Sequence, residues 1–269
     1  KKQKTKIKNY IKINKASWGE KLEPHLNSDF YNMKAFMAGK SSLNQIELDL
    51  LGDVSGKRIL HLQCHFGQDS LSLSRMGAKV TAVDFSEKSI QKAKEIAKEL
   101  EIDIKFVCSD IYDLPNNLSG EFDIVFTSYG TVIWLPDTQK WANVIEHFLA
   151  PKGQFVFVDF HPVVWMFDDD LKEVIYKYSS SEAIVEDEEG TYADRNADVL
   201  LRSVTWNHGI GQTVNSLISA GLQLNDLQEY DYAPYPFIGH TEEFEPGKFR
   251  IKHFKNNLPL VYSLVAQNV

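Results

Sequence analysis

The sequence has few cysteines and no long apolar run. Cys64 and Cys108 are the only cysteines among 269 residues. Two cysteines build no disulfide framework, which predicts a reducing, cytoplasmic location. No apolar run approaches the roughly 20 residues that span a bilayer, and the beginning of the chain has no signal-peptide pattern. We therefore expect no membrane association.

Positive charge is also scarce, since 29 basic residues against 37 acidic ones give a net charge of −8. Such a surface repels polyanions, so we expect no nucleic-acid partner. The first fifteen residues are the exception, because they hold seven lysines and no acid: Lys1, Lys2, Lys4, Lys6, Lys8, Lys12 and Lys15. An arm for RNA or anionic lipid is one interpretation. A solvated terminus that becomes helical near Tyr10 is the other, and we favour it.

Two of the glycines of a dinucleotide-binding turn are missing. Residues 58–70 form a predicted strand, a turn containing Gly67 and the start of a helix, and a second strand ends at Asp84. This is the plan of a nucleotide-binding βαβ unit, in which the acid holds a ribose. The G-x-G-x-x-G fingerprint needs three glycines, so the ligand is predicted to be a nucleoside without a pyrophosphate. An NAD-dependent dehydrogenase is disfavoured.

Several segments in the correct order resemble the motifs of class I S-adenosylmethionine-dependent methyltransferases. They cover most of residues 55–160 and are 60–67, 80–86, 106–111, 121–126 and 149–157, with a last-strand pattern at 258–266. The first reads L-H-L-Q-C-H-F-G where the family usually has L-D-L-G-C-G-T-G. This variant is similar to small-molecule methyltransferases of the ubiquinone/menaquinone-biosynthesis superfamily.

Three departures of the first motif from the family pattern bear on cofactor binding. His61 stands where the family has an acid that helps to hold the methionine ammonium group of the cofactor. Gln63 and His65 replace glycines, which restricts how closely the backbone approaches a ligand. A protein that binds S-adenosylmethionine without catalysis is therefore a second hypothesis.

The resemblance, with the alternation of strands and helices, predicts an α/β, Rossmann-like, doubly wound fold with a mostly parallel seven-stranded sheet. We expect one domain over residues 1–269. Its parts are an N-terminal helical cap (1–54), a cofactor-binding core (55–162), an inserted antiparallel hairpin or lid (163–206), and a C-terminal helix with closing strands (207–269). Apolar spacing and capping residues predict helices at 8–19, 28–38, from a cap at Ser41, 69–76, from a cap at Ser86, 137–149 and 211–220.

The resemblance implies which residues bind S-adenosylmethionine and its product S-adenosylhomocysteine. Asp84 is expected to accept hydrogen bonds from the ribose hydroxyls, unless it only caps the next helix. Asp110 is expected at the adenine amine, with Asp113 as a rival. The remaining expected cofactor residues are Phe85 and Ile111 around the adenine, and Gln63, Cys64, His65, Gly67, Ser128 and Tyr129 at the methionine end.

His61, Cys64 and His65 invite a metal-site interpretation. Side chains alternate along a strand, so His61 and Cys64 would point to opposite faces. We therefore expect no metal, and Cys64 is interpreted as a small packed residue.

The acceptor side is predicted from aromatic residues. Trp134 follows the fourth strand and is expected to form a wall of the acceptor pocket, while Trp18, Tyr31 and Phe36 of the cap would close over the ligand. Tyr230, Tyr232, Tyr235 and Phe237 are further candidates for lining. Ordinary packing is the alternative for each.

The catalytic residues are not identified by the sequence, and His161, His208 and Tyr129 are the candidates. Either histidine could remove a proton near neutral pH, yet methyl transfer from a sulfonium needs mainly alignment in a dry site. The favoured hypothesis is methyl transfer to a small-molecule acceptor. An RNA methyltransferase using the lysine arm stays an alternative, and the sequence does not decide between monomer and homodimer.

Overall fold

The structure is a computed structural model that describes residues 9–269. Five lysines of the basic arm (residues 1–8) lie outside the described residues, so their predicted role is not addressed by it. The remaining two, Lys12 and Lys15, belong to the first helix, which begins at Tyr10.

A seven-stranded sheet forms the centre of the fold. The strands in chain order are β1 Arg58–Leu62, β2 Lys79–Asp84, β3 Lys105–Cys108, β4 Phe122–Ser128, β5 Leu149–Phe160, β6 Ile184–Glu189, β7 Leu200–Thr205, β8 Leu222–Tyr230, β9 Thr241–Glu245, β10 Lys248–Ile251 and β11 Val261–Asn268. The central sheet has the order β3-β2-β1-β4-β5-β11-β8. Its first five strands are parallel, and β11 is antiparallel to both neighbours. The predicted mostly parallel, seven-stranded sheet is confirmed.

Helices pack on both faces of this sheet. In chain order they are α1 Tyr10–Asn27, α2 Met33–Met37, α3 Gln45–Leu51, α4 Gln68–Arg75, α5 Glu87–Glu99, α6 Leu114–Asn117, α7 Thr138–Phe148 and α8 Ile210–Ser219. Trp141 of α7 is completely buried against Phe155 and Phe157 of β5. Because both faces are covered, β1 and β4 are buried along most of their length, as parallel strands in such folds are.

Local capping sets the helix starts, and one predicted cap is wrong. Ser86 accepts a hydrogen bond from the Ser89 N–H, so the predicted start of α5 is confirmed. Ser41 does not cap α3. Asn44 does, and the Glu47 carboxylate accepts from both its N–H and its side-chain amide, which is the reciprocal part of a capping box.

The first helix runs eight residues beyond its predicted end at Gly19. The glycine does not terminate it because the next turns are held by tertiary packing, with Lys21, Leu22 and His25 all buried. The predicted helix at 28–38 is correspondingly short, since only Met33–Met37 is helical.

The predicted inserted hairpin is present as the antiparallel pair β6–β7. A second antiparallel pair, β9–β10, lies in the C-terminal part and was not predicted. Strand β9 is acidic and partly exposed, and β10 alternates polar and apolar residues over only four positions, so neither strand gives a strong pattern. The Pro246-Gly247 dipeptide in its turn is a signal that would have found it.

The Asn14 side chain of helix α1 hydrogen-bonds to the inserted hairpin. Asn14 is 2% exposed; its Nδ2 donates to the Val204 carbonyl at 2.8 Å, and its Oδ1 accepts from the Val204 N–H at 2.9 Å. The Tyr10 and Trp206 rings meet edge to face at 5.1 Å beside it. The cap helix and the hairpin therefore form one layer, which we call the roof (α1 with β6 and β7).

Replacing Asn14 by leucine should destabilise the protein by about 2 kcal/mol, because two buried backbone groups of Val204 lose their partner. Urea denaturation would measure the change. Asn27→Leu on the exposed face of the same helix is the matched control and should shift stability by less than about 0.5 kcal/mol. Equal effects of the two substitutions would contradict a specific role of Asn14.

Candidate active site

A cavity of about 1020 Å³ lies at the carboxyl ends of β1, β2 and β4, beneath the roof. This edge is where parallel α/β sheets bind ligands. All the sequence-predicted cofactor residues line it: Gln63, Cys64, His65, Gly67, Asp84, Phe85, Asp110, Ile111, Ser128 and Tyr129. The predicted acceptor residues Trp18, Tyr31 and Trp134 line the same cavity.

Asp84 ends β2 and is 8% exposed. Its Oδ2 accepts from the His65 N–H at 2.9 Å, and its Oδ1 accepts from the Ser86 N–H at 2.8 Å. Burial raises the pKa of this carboxyl to about 6, opposed by those N–H donors. A carboxylate oxygen accepts more than one hydrogen bond, so Asp84 holds the loop after β1 and keeps acceptor capacity toward the cavity.

The loop after β1 has the backbone shape that glycines would give it. Gln63 (φ 56°), His65 (φ 52°) and Gly67 (φ 82°) are all left-handed, at a cost of about 1–2 kcal/mol for each non-glycine residue. The two larger side chains turn away from the loop. Gln63 donates to the Thr131 carbonyl at 2.9 Å, and the His65 ring meets His25 Nδ1 of α1 at 2.9 Å.

At the predicted adenine end, only one of the two candidate acids lines the cavity. Asp110 lines the cavity and accepts from the Tyr112 N–H at 2.8 Å. Asp113 lies outside the cavity lining, and its carboxylate accepts from the side chains of Asn116 and Asn117. Asp110 is thus the acid placed to meet a ligand.

His61 does not replace the family acid. It is buried, its Nδ1 lies 2.7 Å from the Ser70 hydroxyl, and burial lowers its pKa to about 3, so the ring is neutral. The carboxylate at this end of the cavity belongs to Asp69, which the sequence analysis missed. Its position in the first turn of the helix after the loop was the available signal.

Asp69 lines the cavity between two serines. The Ser42 hydroxyl donates to it at 2.6 Å and the Ser128 hydroxyl at 3.4 Å. Burial raises the pKa of Asp69 to about 7, and the nearby Glu47 acts in the same direction. Asp69 therefore changes charge near neutral pH.

Beside Asp69 the cavity forms an aromatic chamber, lined by Phe30, Tyr31, Tyr129, Tyr192, Tyr235 and Phe237. The hydroxyls of Tyr31 and Tyr192 are hydrogen-bonded, which joins the N-terminal cap to the insert. Tyr192 was missed because nothing local marks it. Phe36 also lines the cavity, whereas Tyr230 and Tyr232 lie outside its lining.

Two of the three candidate catalytic residues lie outside the cavity. His161 bonds to Glu229 at 2.8 Å and His208 to the Leu135 carbonyl at 2.6 Å, and neither lines the cavity. Tyr129 does line it, but its hydroxyl donates to Glu47 at 2.8 Å. Burial holds the pKa of Tyr129 well above 10, so it stays protonated and is no base at neutral pH.

The metal interpretation finds no support in the geometry. Cys64 is buried and directs its Sγ at the His65 carbonyl, and the His61 ring bonds to Ser70 instead. Within residues 9–269 no three His, Cys, Asp or Glu side chains are grouped as metal ligands.

No helix in this part of the chain is long and apolar enough to cross a membrane.

Comparison with known proteins gives a family match over more than half of the chain. Residues 53–219 match a family described as a methyltransferase domain. An uncharacterised methyltransferase of Synechocystis is 32% identical over 49% of this chain and 60% of its own length. A ubiquinone biosynthesis O-methyltransferase of Coxiella burnetii is 30% identical over 49% of this chain and 57% of its own length. The chain thus matches less than two thirds of the length of these relatives.

The fold is similar to solved methyltransferase structures. An S-adenosylmethionine-dependent methyltransferase from Mesorhizobium loti superimposes with a TM-score of 0.56 at 18% identity, covering 86% of this chain and 99% of the other. At that identity the likeness concerns the fold alone.

Proposed function

Because the chain belongs to the class I S-adenosylmethionine-dependent methyltransferases, we propose that it methylates a small-molecule acceptor inside the cavity beneath the roof. One observation carries the proposal. The predicted cofactor residues and the aromatic chamber line one continuous cavity, so a donor and an acceptor can meet there. Its volume of about 1020 Å³ is at the upper end of the range of small-molecule sites.

The residues present fit the cofactor. Asp84 has acceptor capacity for two ribose hydroxyls, and Asp110 can accept from the adenine amine. Gln63 Oε1 is buried and accepts no hydrogen bond among the described residues, as expected of a group that receives a donor from a ligand. In this proposal Asp69 pairs with the methionine ammonium and so replaces the acid absent at position 61.

The catalytic contribution of the chain is to align and enclose the reactants. When bound, the cofactor supplies a methyl group on a sulfonium, with a neutral thioether as leaving group. Tyr31, Tyr192 and Tyr235 enclose the acceptor, and the roof excludes water from the chamber. Asp69 is the carboxylate at this part of the wall, whereas Glu47 is buried outside the lining and accepts from the Tyr129 hydroxyl. Because Asp69 is assigned to the ammonium of the cofactor, no general base is assigned to the chain.

An enclosed aromatic chamber favours a small acceptor over RNA, and the name of the Coxiella burnetii relative, a ubiquinone biosynthesis O-methyltransferase, supports that class. The lysine arm that motivates the RNA alternative lies mostly outside the described residues. A steep decrease of RNA affinity with rising salt would favour that alternative.

Calorimetric titration with S-adenosylmethionine, S-adenosylhomocysteine and NAD tests the proposal first. We expect micromolar binding of the first two and none of NAD. Transfer of labelled methyl to a panel of phenols, aromatic acids and amines then tests catalysis. Tight product binding without transfer to any acceptor would favour the non-catalytic alternative, and no binding would exclude both.

Affinity for S-adenosylhomocysteine should fall about tenfold between about pH 8 and about pH 6, because only ionised Asp69 pairs with an ammonium. The sign follows from the raised pKa of about 7: below it, binding must first remove a proton. Calorimetry in buffers of different ionisation enthalpy would detect that proton release.

5′-Methylthioadenosine, which lacks the amino-acid end, is the matched reference ligand. The affinity for this ligand should change with pH only through the ionisation of Asp84, whose pKa is about 6. The difference in pH dependence between the two ligands therefore measures the contribution of Asp69. Asp69→Asn should remove that difference. An unchanged pH profile in this variant would contradict the assignment.

A further inference from the structure

Lys21 places a buried amino group in the wall of the cavity. Its side chain lies on the inner face of α1 and is 3% exposed, and it lines the cavity. The Nζ atom lies 5.0 Å from the ring centre of Trp18 and 5.2 Å from that of Trp134. Lysine is almost never fully buried unless another group pairs with its ammonium. A buried Lys21 therefore requires such a group.

The protein supplies no such partner in the part of the chain that the structure describes. Across residues 9–269, Nζ donates no hydrogen bond, and no carboxylate oxygen lies within 4.0 Å of it. The acid whose charge acts on it is Glu188 of β6, an exposed residue of the same roof, which partly offsets the lowering of the Lys21 pKa by burial. An ammonium has three N–H donors, and all three are left to a ligand.

The other neighbours do not compete for an anion. His25 and His65 lie on the same side of the cavity, and burial lowers the pKa of His25 to about 3 and that of His65 well below 6.5. Both rings are therefore neutral at physiological pH. The faces of the two tryptophans stabilise a cation between them, but they accept no conventional hydrogen bond.

We propose that Lys21 binds the carboxylate of a ligand in this cavity. The inference rests on the proposed function and deepens it, because it names the chemistry of the group that is recognised. Two sources carry that chemistry: the amino-acid end of the cofactor, and an acceptor that is an aromatic acid. The flat faces of Trp18 and Trp134 beside the ammonium suit the ring of such an acid.

Two pairs of ligands test this site and separate the sources. S-adenosylhomocysteine and 5′-methylthioadenosine differ by the amino-acid end. 2-Naphthoate and 2-naphthamide, titrated into protein saturated with S-adenosylhomocysteine, differ by one charge at nearly equal shape. Each pair is measured by calorimetry into the millimolar range with the wild type, Lys21→Met, Lys21→Arg and the control Lys12→Met, which removes an exposed charge from the same helix.

If the acceptor is the source, the wild type should bind naphthoate at least about tenfold more tightly than naphthamide. Lys21→Met should erase that preference, Lys21→Arg should keep most of it, and Lys12→Met should leave it unchanged. If the cofactor is the source, Lys21→Met should weaken S-adenosylhomocysteine about tenfold and leave methylthioadenosine unaffected.

The proposal is overturned if both preferences are as large in Lys21→Met as in the wild type, or if the wild type shows neither. Failure of the proposed function gives a different result, because the wild type then binds no S-adenosylhomocysteine. Replacement of a buried charge by methionine is commonly neutral or stabilising. Lys21→Arg, which keeps the charge, separates loss of recognition from loss of fold in any case.

Discussion

Asp84→Ala should weaken the binding of S-adenosylhomocysteine by about 100- to 1,000-fold. A hydrogen bond to a charged group contributes about 1.5–3 kcal/mol, and two ribose hydroxyls would lose such a bond together. The substitution also removes the acceptor that holds the His65 N–H at 2.9 Å, so the loop after β1 loses an anchor. Calorimetric titration of both proteins at pH 8, where the carboxylate is ionised, measures the difference.

Two further variants isolate the cause. Asp84→Asn keeps the size and one acceptor oxygen, so about a tenfold loss is expected. Asp113→Asn changes an exposed acid on a neighbouring loop outside the cavity, and it should bind as the wild type does. If Asp84→Ala and Asp113→Asn bind equally, the ribose assignment is wrong.

The second large effect concerns stability without any ligand. Gly67 has a φ of +82°, and a Cβ there would lie 2.9 Å from Phe106 Cε1 and 3.3 Å from the Ala93 Cβ. Gly67→Ala therefore adds backbone strain of about 1–2 kcal/mol to overpacking of about 1–3 kcal/mol. We expect a loss of about 2–4 kcal/mol in the free energy of unfolding, measured by urea denaturation.

Gly221→Ala is the control for backbone strain without a steric contact. Gly221 follows the end of α8, where helices commonly have a left-handed glycine. Its φ is +96° and nothing lies within 4 Å of the added Cβ, so only the backbone strain of about 1–2 kcal/mol should be lost. If the two alanine variants unfold at the same urea concentration, contact with Phe106 does not matter to the requirement for glycine at position 67.

The sheet and the group of residues that line the cavity after β1 and β2 could be predicted because their signals are local. A strand, a turn and an acid at fixed spacing occupy neighbouring positions, so Asp84 and Gly67 were found from a short stretch of sequence. The same holds for the Ser86 cap. Even the substitutions at 63 and 65 did not hide the motif, since their side chains turn aside and leave the loop shape intact.

The rest depends on contacts between distant segments. Lys21 and Asp69 became candidates only when the fold placed α1 and α4 beside the same cavity, and Tyr192 only when the insert folded over Tyr31. One weak signal existed for Lys21, because Asn14, Trp18, Lys21 and His25 share one helix face. His161 and His208 show the opposite error. His161 lies at the end of a strand and His208 precedes a helix, and each was expected to face the ligand. Both instead hydrogen-bond to groups outside the cavity.

The attachments of α1 determine how reactants can enter and leave. The helix is held to the insert through Asn14 and to the loop after β1 through His25, whose Nδ1 lies 2.9 Å from His65 Nε2. A displacement of α1 wide enough to admit an acceptor therefore also loosens the loop beside the donor. In the proposed function, entry of the acceptor and exchange of the cofactor therefore involve the same helix, and we expect the two events to be coupled.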